Sequence, residues 1–230
     1  MAQKQRSHTI WVLPLMPDFA TARRMMVDGQ IRTYDVTDPA VLSAMLSVPR
    51  ERFVPADRAG VAYVDTDVPV GKGRRLLKPM VLAKLLQAAG IQPEQRVLVV
   101  GCATGYAAAV LARMGAQVVA LEQDAALAAE ARRAVADAGE VTVVEGSLAA
   151  GWPGQAPYDV ILLNGAVEAV PQDLFKQLAD GGRLVGIIGE APASKAMLFN
   201  AAHGTGSGRA IFDAAAGPLP GFSKPAVFAF

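Results

Sequence analysis

Short apolar runs alternate with helical patterns from residue 96 onward. The strand-like runs lie at residues 96–100, 117–121, 141–144, 158–163 and 183–188. Helical patterns fit residues 105–114, 124–138 and 171–179. Continuous apolar strands that alternate with helices are typical of a parallel sheet covered by helices on both faces. The pattern therefore predicts an α/β fold with a mostly parallel sheet.

The segments on either side of this pattern differ from it. Residues 49–79 are rich in proline, glycine and charge, and they predict a loop with one short strand. Further helices are predicted at residues 18–30, 38–48 and 80–90. Short apolar runs separated by glycine and proline predict antiparallel strands at one sheet edge, at residues 195–202, 208–214 and 225–230. We expect one domain over residues 1–230, with N-terminal helices and a loop over 1–79 and the α/β core over 80–230.

The composition argues against several classes of protein. Of the 230 residues, 52% are hydrophobic, which is enough for one substantial core. The formal net charge is +1, so no overall field favours nucleic acid or an anionic membrane. The apolar run at residues 10–16 is short for a signal peptide, and no stretch approaches the roughly 20 apolar residues of a membrane span. Nucleic acid and membranes are therefore not expected as partners.

Cysteine and histidine are scarce. Cys102 is the only cysteine, so no disulfide can form within the chain and a cysteine-based zinc site is excluded. His8 and His203 lie far apart in the sequence, and no metal site is expected. The lone cysteine fits a reducing compartment, and we expect a cytoplasmic protein.

The stretch VLVVGCATGY, residues 97–106, predicts a strand that enters a helix through a tight turn. Gly101 and Gly105 bound this turn, but Ala103 stands where a dinucleotide fingerprint has its second glycine, and no P-loop Gly-Lys-Ser/Thr follows. The next strand ends in Glu122, about 20 residues after Gly101, where a carboxylate can accept hydrogen bonds from a ribose diol. A ligand with a ribose and no phosphate suits this pattern, and S-adenosylmethionine is such a ligand.

Ordered blocks of the sequence resemble the protein-L-isoaspartate O-methyltransferases. The blocks are VPRERFVP (48–55), AYVD (62–65), a glycine-rich loop before Lys78-Pro79, VLVVGCATGYAAAVLA (97–112), VVALEQD (118–124), GWPGQAPYDVILLNGA (151–166) and LADGGRLVGIIG (178–189). The resemblance runs from about Arg23 to Ile188. It implies a Rossmann-like class I methyltransferase fold, S-adenosylmethionine as the cofactor, and methylation of the carboxylate of isoaspartyl residues for protein repair.

The resemblance also implies a set of cofactor residues. Glu122 is expected to accept hydrogen bonds from the ribose, and Ser147 and Leu148 to border the adenine. Asn164, which follows the fourth predicted strand, either contacts the ligand or serves as a structural cap. The full predicted set is Gly101, Cys102, Ala103, Thr104, Gly105, Tyr106, Glu122, Gln123, Ser147, Leu148 and Asn164. Cys102 is expected to be a small buried residue and not a nucleophile, because no histidine lies nearby in the sequence to activate it.

Four positions depart from the family pattern. Val99 replaces an acidic residue, Ala103 replaces a glycine, and Ser147 replaces the acidic partner of the adenine. Leu77 stands where the family has a serine held to be catalytic, and a leucine cannot replace a hydroxyl. No catalytic residue is therefore assigned.

Arg74, Arg75 and Lys78 place three cations in the loop before Pro79. One hypothesis is that one or more of them binds a substrate carboxylate in place of the missing hydroxyls; the alternative is a solvated basic loop. Three functions stay open: an isoaspartyl carboxyl methyltransferase, a methyltransferase with another acidic or small acceptor, and a non-catalytic binding or scaffold protein. The sequence does not predict the oligomeric state.

Overall fold

A computed structural model describes residues 18–223 of the chain. His8, the apolar run at residues 10–16 and the strand predicted at 225–230 lie outside the described residues. Among the helices within the described range, none is long and apolar enough to cross a membrane.

A seven-stranded sheet forms the centre of the fold, with the strand order β5-β4-β3-β6-β7-β8-β9. The strands are β3 Arg96–Val100, β4 Gln117–Glu122, β5 Val141–Glu145, β6 Tyr158–Val167, β7 Leu178–Ile188, β8 Lys195–Ala202 and β9 Thr205–Asp213. Strands β3 to β7 pair in parallel, whereas β8 and β9 pair antiparallel at one edge. The predicted α/β fold, mostly parallel with antiparallel edge strands, is confirmed.

The register of the central strands places three chain segments side by side. Val100, the last residue of β3, pairs with Leu121 of β4 on one side and with Leu163 of β6 on the other. The residues that follow these three positions are Gly101, Glu122 and Asn164. Because parallel strands end at the same edge of a sheet, the glycine turn, the carboxylate and the amide lie together where ligands of open α/β folds bind.

Helices cover the sheet and begin at clear sequence signals. They are α1 Phe19–Met26, α2 Pro39–Ser47, α3 Pro79–Ala89, α4 Tyr106–Arg113, α5 Ala125–Ala134 and α6 Gln172–Phe175. Asp18, Asp38 and Asp124 accept hydrogen bonds from first-turn N–H groups as N-caps. Helix α6 is much shorter than the predicted helix at 171–179, because Leu178 already pairs with Tyr158 of β6 and belongs to β7.

The segment predicted as a loop with one short strand contains two strands. Strands β1 (Val68–Gly71) and β2 (Arg74–Leu76) form a separate antiparallel hairpin. Val68 and Val70 are buried, and Arg74 and Leu76 are buried in the same alternating manner. The hairpin therefore turns the side chain of Arg74 toward the interior of the protein.

A buried arginine ties the N-terminal segment to the core. Arg50 has no exposed surface, and it donates from Nε to the carbonyl oxygen of Ala62 at 2.7 Å and from Nη2 to that of Leu77 at 2.8 Å. Its guanidinium carbon lies 4.7 Å from the ring centroid of Tyr106 at the start of α4. The block that contains Arg50 thus fixes the loop before α3 against the helix that follows the glycine turn.

Candidate cofactor site

A tight turn joins the central strand β3 to helix α4. Gly101 and Gly105 have φ angles of +77° and +95°, a left-handed conformation that favours glycine. The N–H groups of Gly101 and Cys102 both donate to the carbonyl oxygen of Leu121 in β4, each at 2.9 Å. These two bonds hold the turn against the end of the neighbouring strand.

Ala103, in the middle of this turn, also has a left-handed backbone, with φ +51°. For a residue with a Cβ atom this conformation costs roughly 1–2 kcal/mol. Its N–H donates to Oε2 of Glu122 at 2.8 Å, which offsets part of that cost. The glycine that the family pattern has at this position would adopt the same conformation without strain.

Glu122 is completely buried at the carboxyl end of β4. Its oxygens accept hydrogen bonds from the N–H groups of Ala103, Gln123 and Asp124, at 2.8, 3.0 and 3.4 Å. Nη1 of Arg74 lies 3.0 Å from each carboxylate oxygen. The buried negative charge is therefore both paired and hydrogen-bonded, as a charge in the interior requires.

Arg74 reaches this site from the hairpin. Its side chain is 5% exposed, and Nη2 donates to the carbonyl oxygen of Gly101 at 2.7 Å. The same carbonyl accepts a hydrogen bond from Nδ2 of Asn164 at 2.9 Å. One guanidinium thus bridges the first glycine of the turn and the carboxylate of Glu122.

The C-terminal segment covers the turn from another direction. Ala166 donates its N–H to the carbonyl oxygen of Gly217 at 2.9 Å, and its own carbonyl accepts the N–H of Leu219 at 2.7 Å. Cδ2 of Leu219 would lie 2.8 Å from a Cβ atom on Gly101 and 2.6 Å from one on Gly165. Both glycines are therefore covered closely by a buried leucine, and no larger side chain fits at either position.

Three other predicted residues in the turn are buried against protein. Burial raises the pKa of the Cys102 thiol, so the cysteine stays protonated and lacks nucleophilic character. The hydroxyl of Thr104 donates to the carbonyl oxygen of Phe53 at 2.6 Å. Tyr106 packs under the guanidinium of Arg50. These three side chains stabilise the turn.

The other predicted cofactor residues lie around the end of the sheet. Gln123 and Ser147 are exposed, whereas Leu148 is buried in the hydrophobic cluster under β3 and β4. Asn164 contacts the turn directly, through the hydrogen bond to Gly101. Within residues 18–223 no group of three or more histidine, cysteine, aspartate or glutamate side chains is placed to hold a metal ion.

The three cations of the basic loop do not lie together. Arg74 points toward the carboxyl ends of β3 and β4. Arg75 and Lys78 instead line a surface pocket of about 290 Å³, together with Asp65, Thr66, Asp67 and Ala215. The carboxylate of Asp67 accepts the N–H of Lys78 at 2.8 Å, and Nη1 of Arg75 donates to the Asp67 carbonyl at 3.4 Å. Leu77 is buried in the main hydrophobic core.

Sequence reasoning missed the role of two residues in this site. The signal for the inward direction of Arg74 is its place two residues before the apolar Leu76, because alternate residues of a strand share one face. Leu219 carries no comparable signal, because its position depends on a contact between the C-terminal segment and a distant turn.

Comparison with known proteins decides the family. The family profile described as "Protein-L-isoaspartate(D-aspartate) O-methyltransferase (PCMT)" matches residues 22–210. The chain belongs to this family. It is 45% identical over 184 residues to the protein-L-isoaspartate O-methyltransferase of Methylorubrum extorquens strain PA1, covering 80% of each protein. It is 43% identical over 188 residues to that of a Synechococcus species, covering 79% of this chain and 77% of the relative.

Solved structures of PCMT proteins agree with the fold. One protein-L-isoaspartate O-methyltransferase superposes with a TM-score of 0.75 at 27% identity, over 86% of this chain and 66% of that one. A Plasmodium falciparum PCMT protein, solved in complex with S-adenosyl-L-homocysteine, superposes with a TM-score of 0.74 over 89% of this chain and 99% of that one. At 18% identity, the second structure supports the fold alone.

The donors and acceptors around the turn fit the cofactor of the PCMT family, S-adenosylmethionine. Glu122 is a carboxylate at the end of the second parallel strand, and the turn between Gly101 and Gly105 brings backbone close to that carboxylate. In this structure Arg74 contacts Glu122 and Leu219 covers Gly101. The residue types therefore suit the cofactor, and side chains of the chain itself contact the groups that would bind it.

Proposed function

We propose that this chain is an S-adenosylmethionine-dependent methyltransferase that esterifies the carboxylate of isoaspartyl residues in proteins. The observation that carries the proposal is the 45% identity over 184 residues with a protein-L-isoaspartate O-methyltransferase. The buried carboxylate of Glu122 beside the glycine turn supports it from the structure. The similarity to proteins of this name favours an isoaspartyl acceptor over another acidic or small molecule, and catalysis over a scaffold role.

The chemistry makes modest demands on the protein. S-adenosylmethionine, when bound, supplies a methyl group on a positively charged sulfur. The attacking carboxylate is already ionised near neutral pH, so no strong general base is required. Alignment of the two reactants can lower the barrier by about 7–11 kcal/mol. A site with Leu77 in place of a hydroxyl can therefore catalyse the transfer if other groups position the acceptor.

We assign cofactor binding to the carboxyl ends of the central strands β3, β4 and β6. Glu122 is suited to accept hydrogen bonds from ribose hydroxyls, and Gly101 and Gly105 themselves present no side chain to a ligand at the turn. Asn164 orients the carbonyl of Gly101 through its side-chain amide. The exposed Ser147 is suited to border the base, and Leu148, buried in the hydrophobic cluster beside it, supports that position.

We assign the acceptor to the pocket lined by Arg75 and Lys78. Both cations border the same 290 Å³ pocket, and guanidinium and ammonium groups bind carboxylates through charge-assisted hydrogen bonds. The segment that carries Ala215 and Gly217 links this pocket to Leu219 over the turn, and Gly217 packs against the side chain of Arg75. The acceptor carboxylate would thus lie next to the cofactor site.

We further propose a cytoplasmic location and no nucleic-acid partner. The support is the presence of a single cysteine, Cys102, and a net charge of +1. Fractionation of cells that express a tagged form of the full chain tests the location.

The test of function is methyl transfer to a matched pair of peptides that differ only in one isoaspartyl or aspartyl linkage. With radiolabelled S-adenosylmethionine, the proposal predicts an alkali-labile methyl ester on the isoaspartyl peptide and none on the aspartyl peptide. Glu122→Gln is expected to reduce transfer at limiting cofactor. Label on neither peptide, from a folded protein that binds S-adenosylhomocysteine, would reject the isoaspartyl acceptor.

A further inference from the structure

The carboxylate of Glu122, which would accept hydrogen bonds from a cofactor, is already bound by the guanidinium of Arg74. Nη1 of Arg74 lies 3.0 Å from both oxygens of Glu122, and Nη2 donates to the carbonyl oxygen of Gly101 at 2.7 Å. A ribose diol would direct its two hydroxyl donors at the same carboxylate, which Nη1 of Arg74 already contacts at both oxygens. The guanidinium therefore uses the hydrogen-bonding capacity that a cofactor ribose needs.

The apolar side chain of Leu219 also covers the glycine turn. Leu219 is 4% exposed, and its Cδ2 approaches both Gly101 and Gly165 too closely to leave room for even a Cβ atom on either glycine. The two residues reach the turn from segments far apart in the sequence, the β1–β2 hairpin and the C-terminal segment. Arg74 and Leu219 together form what we name the internal plug.

We infer that the internal plug competes with S-adenosylmethionine for the turn, so that cofactor binding requires Arg74 and Leu219 to leave it. This inference rests on the proposed function, because it concerns the same cofactor site. If the inference holds, the positions of the hairpin and of the C-terminal segment regulate the affinity for the cofactor.

The two residues of the plug are carried by segments other than the central parallel strands. Arg74 is carried by a two-stranded hairpin that is not hydrogen-bonded into the seven-stranded sheet. Leu219 is joined to β6 by one backbone hydrogen bond, from its N–H to the carbonyl oxygen of Ala166. In contrast, Gly101 and Glu122 are anchored at the ends of central parallel strands. Displacement of the plug therefore leaves the cofactor-binding groups in place.

The affinity measured for a ligand falls by the fraction of molecules whose site is open. If the plug is closed in nine molecules of ten, its removal tightens binding about tenfold. S-adenosylhomocysteine is the suitable probe, because it lacks the sulfonium charge that Arg74 would repel.

The first test is calorimetric titration of S-adenosylhomocysteine into the wild-type chain and three variants. Arg74→Gln removes the cation from Glu122, and Leu219→Ala shortens the apolar side chain without a change of charge. Lys72→Gln is the matched control, because Lys72 is an exposed cation in the turn of the same hairpin. We expect Kd to fall about tenfold or more in Arg74→Gln, to fall also in Leu219→Ala, and to stay unchanged in Lys72→Gln.

The second test needs no variant and protects the inference against loss of folding in Arg74→Gln. Hydrogen exchange of the wild-type chain, followed by mass spectrometry, reports on the N–H of Leu219, which is bonded to the carbonyl of Ala166. Saturating S-adenosylhomocysteine is expected to speed exchange in the segment that contains Leu219. Slower exchange in that segment would overturn the inference.

The outcomes separate the plug from the proposed function. Tighter binding in both plug variants supports the inference even if no peptide is methylated. Unchanged or weaker binding in both folded variants overturns it, even if the wild-type chain methylates the isoaspartyl peptide. Lack of binding at millimolar S-adenosylhomocysteine in every variant also overturns it.

Discussion

The carboxylate of Glu122 and the guanidinium of Arg74 form a buried ion pair, with 3.0 Å between Nη1 and each carboxylate oxygen. The pair joins the end of a central strand to a hairpin outside the main sheet. It therefore couples the stability of the cofactor site to the position of the segment that precedes α3.

This coupling is measurable by a double-mutant cycle of Glu122→Gln and Arg74→Gln. Loss of one partner leaves the other as a buried charge, so each single substitution should lower the free energy of unfolding by about 3–5 kcal/mol. The double variant should lose clearly less than the sum, as measured by urea denaturation. Additive losses would show that the two charges do not interact. The exposed pair Arg32 and Asp28 is the control, with an expected coupling of about 0–1 kcal/mol.

Substitutions in the basic pocket should act on the acceptor alone. We expect Arg75→Ala and Lys78→Ala each to raise KM for an isoaspartyl peptide about threefold to tenfold. Each substitution removes one cation from the partly exposed pocket proposed to bind the carboxylate of the peptide. The Kd of S-adenosylhomocysteine should not change. Arg58→Ala, an exposed cation outside the pocket, should alter neither value. A KM unaffected by both pocket substitutions would identify Arg75 and Lys78 as solvated surface residues.

The strained residue of the turn yields a stability prediction. Ala103→Gly relieves a left-handed conformation, φ +51°, and should leave the protein as stable or up to about 1 kcal/mol more stable. The matched change Ala108→Gly, inside helix α4, should lower the free energy of unfolding by about 1 kcal/mol or more. Thermal or urea denaturation measures both. Equal losses in the two variants would contradict the strain at Ala103.

A buried phenol predicts the alkaline pH dependence. Burial raises the pKa of Tyr158 to about 12, and its hydroxyl donates to the carbonyl of Trp152 at 2.7 Å. The phenol in the unfolded chain titrates near 10, so the stabilisation from Tyr158 is complete below pH 10 and is lost as pH rises toward 12. Tyr158→Phe should therefore flatten the decline of the unfolding free energy between pH 10 and 12. Tyr34→Phe, at an exposed tyrosine, should leave the slope unchanged, and equal slopes in all three proteins would refute the shift.

The apolar periodicity of the sequence predicted the sheet because buried parallel strands are set by local runs. The run at residues 195–202, for example, coincides with β8, Lys195–Ala202. The helix predicted at 171–179 was too long, since the competing pairing of Leu178 with Tyr158 is a contact between strands that no local pattern contains.

Part of the arrangement at the candidate site was predictable from the ends of the strands. Gly101, Glu122 and Asn164 follow from strand ends, and the structure brings all three together. The prediction placed Arg74 with Arg75 and Lys78 because it treated these residues as a loop and not as a strand in which neighbouring side chains take opposite faces. Leu219 could not be placed, since its contact with the turn depends on the path of the C-terminal segment across β6.

The most direct test of the cofactor site is a crystal structure of the full chain grown with S-adenosylhomocysteine. We expect the ribose hydroxyls on the carboxylate of Glu122, the ligand beside Gly101, and the side chains of Arg74 and Leu219 displaced from both. A ligand bound elsewhere, with the Arg74–Glu122 ion pair intact, would contradict the assignment of this turn.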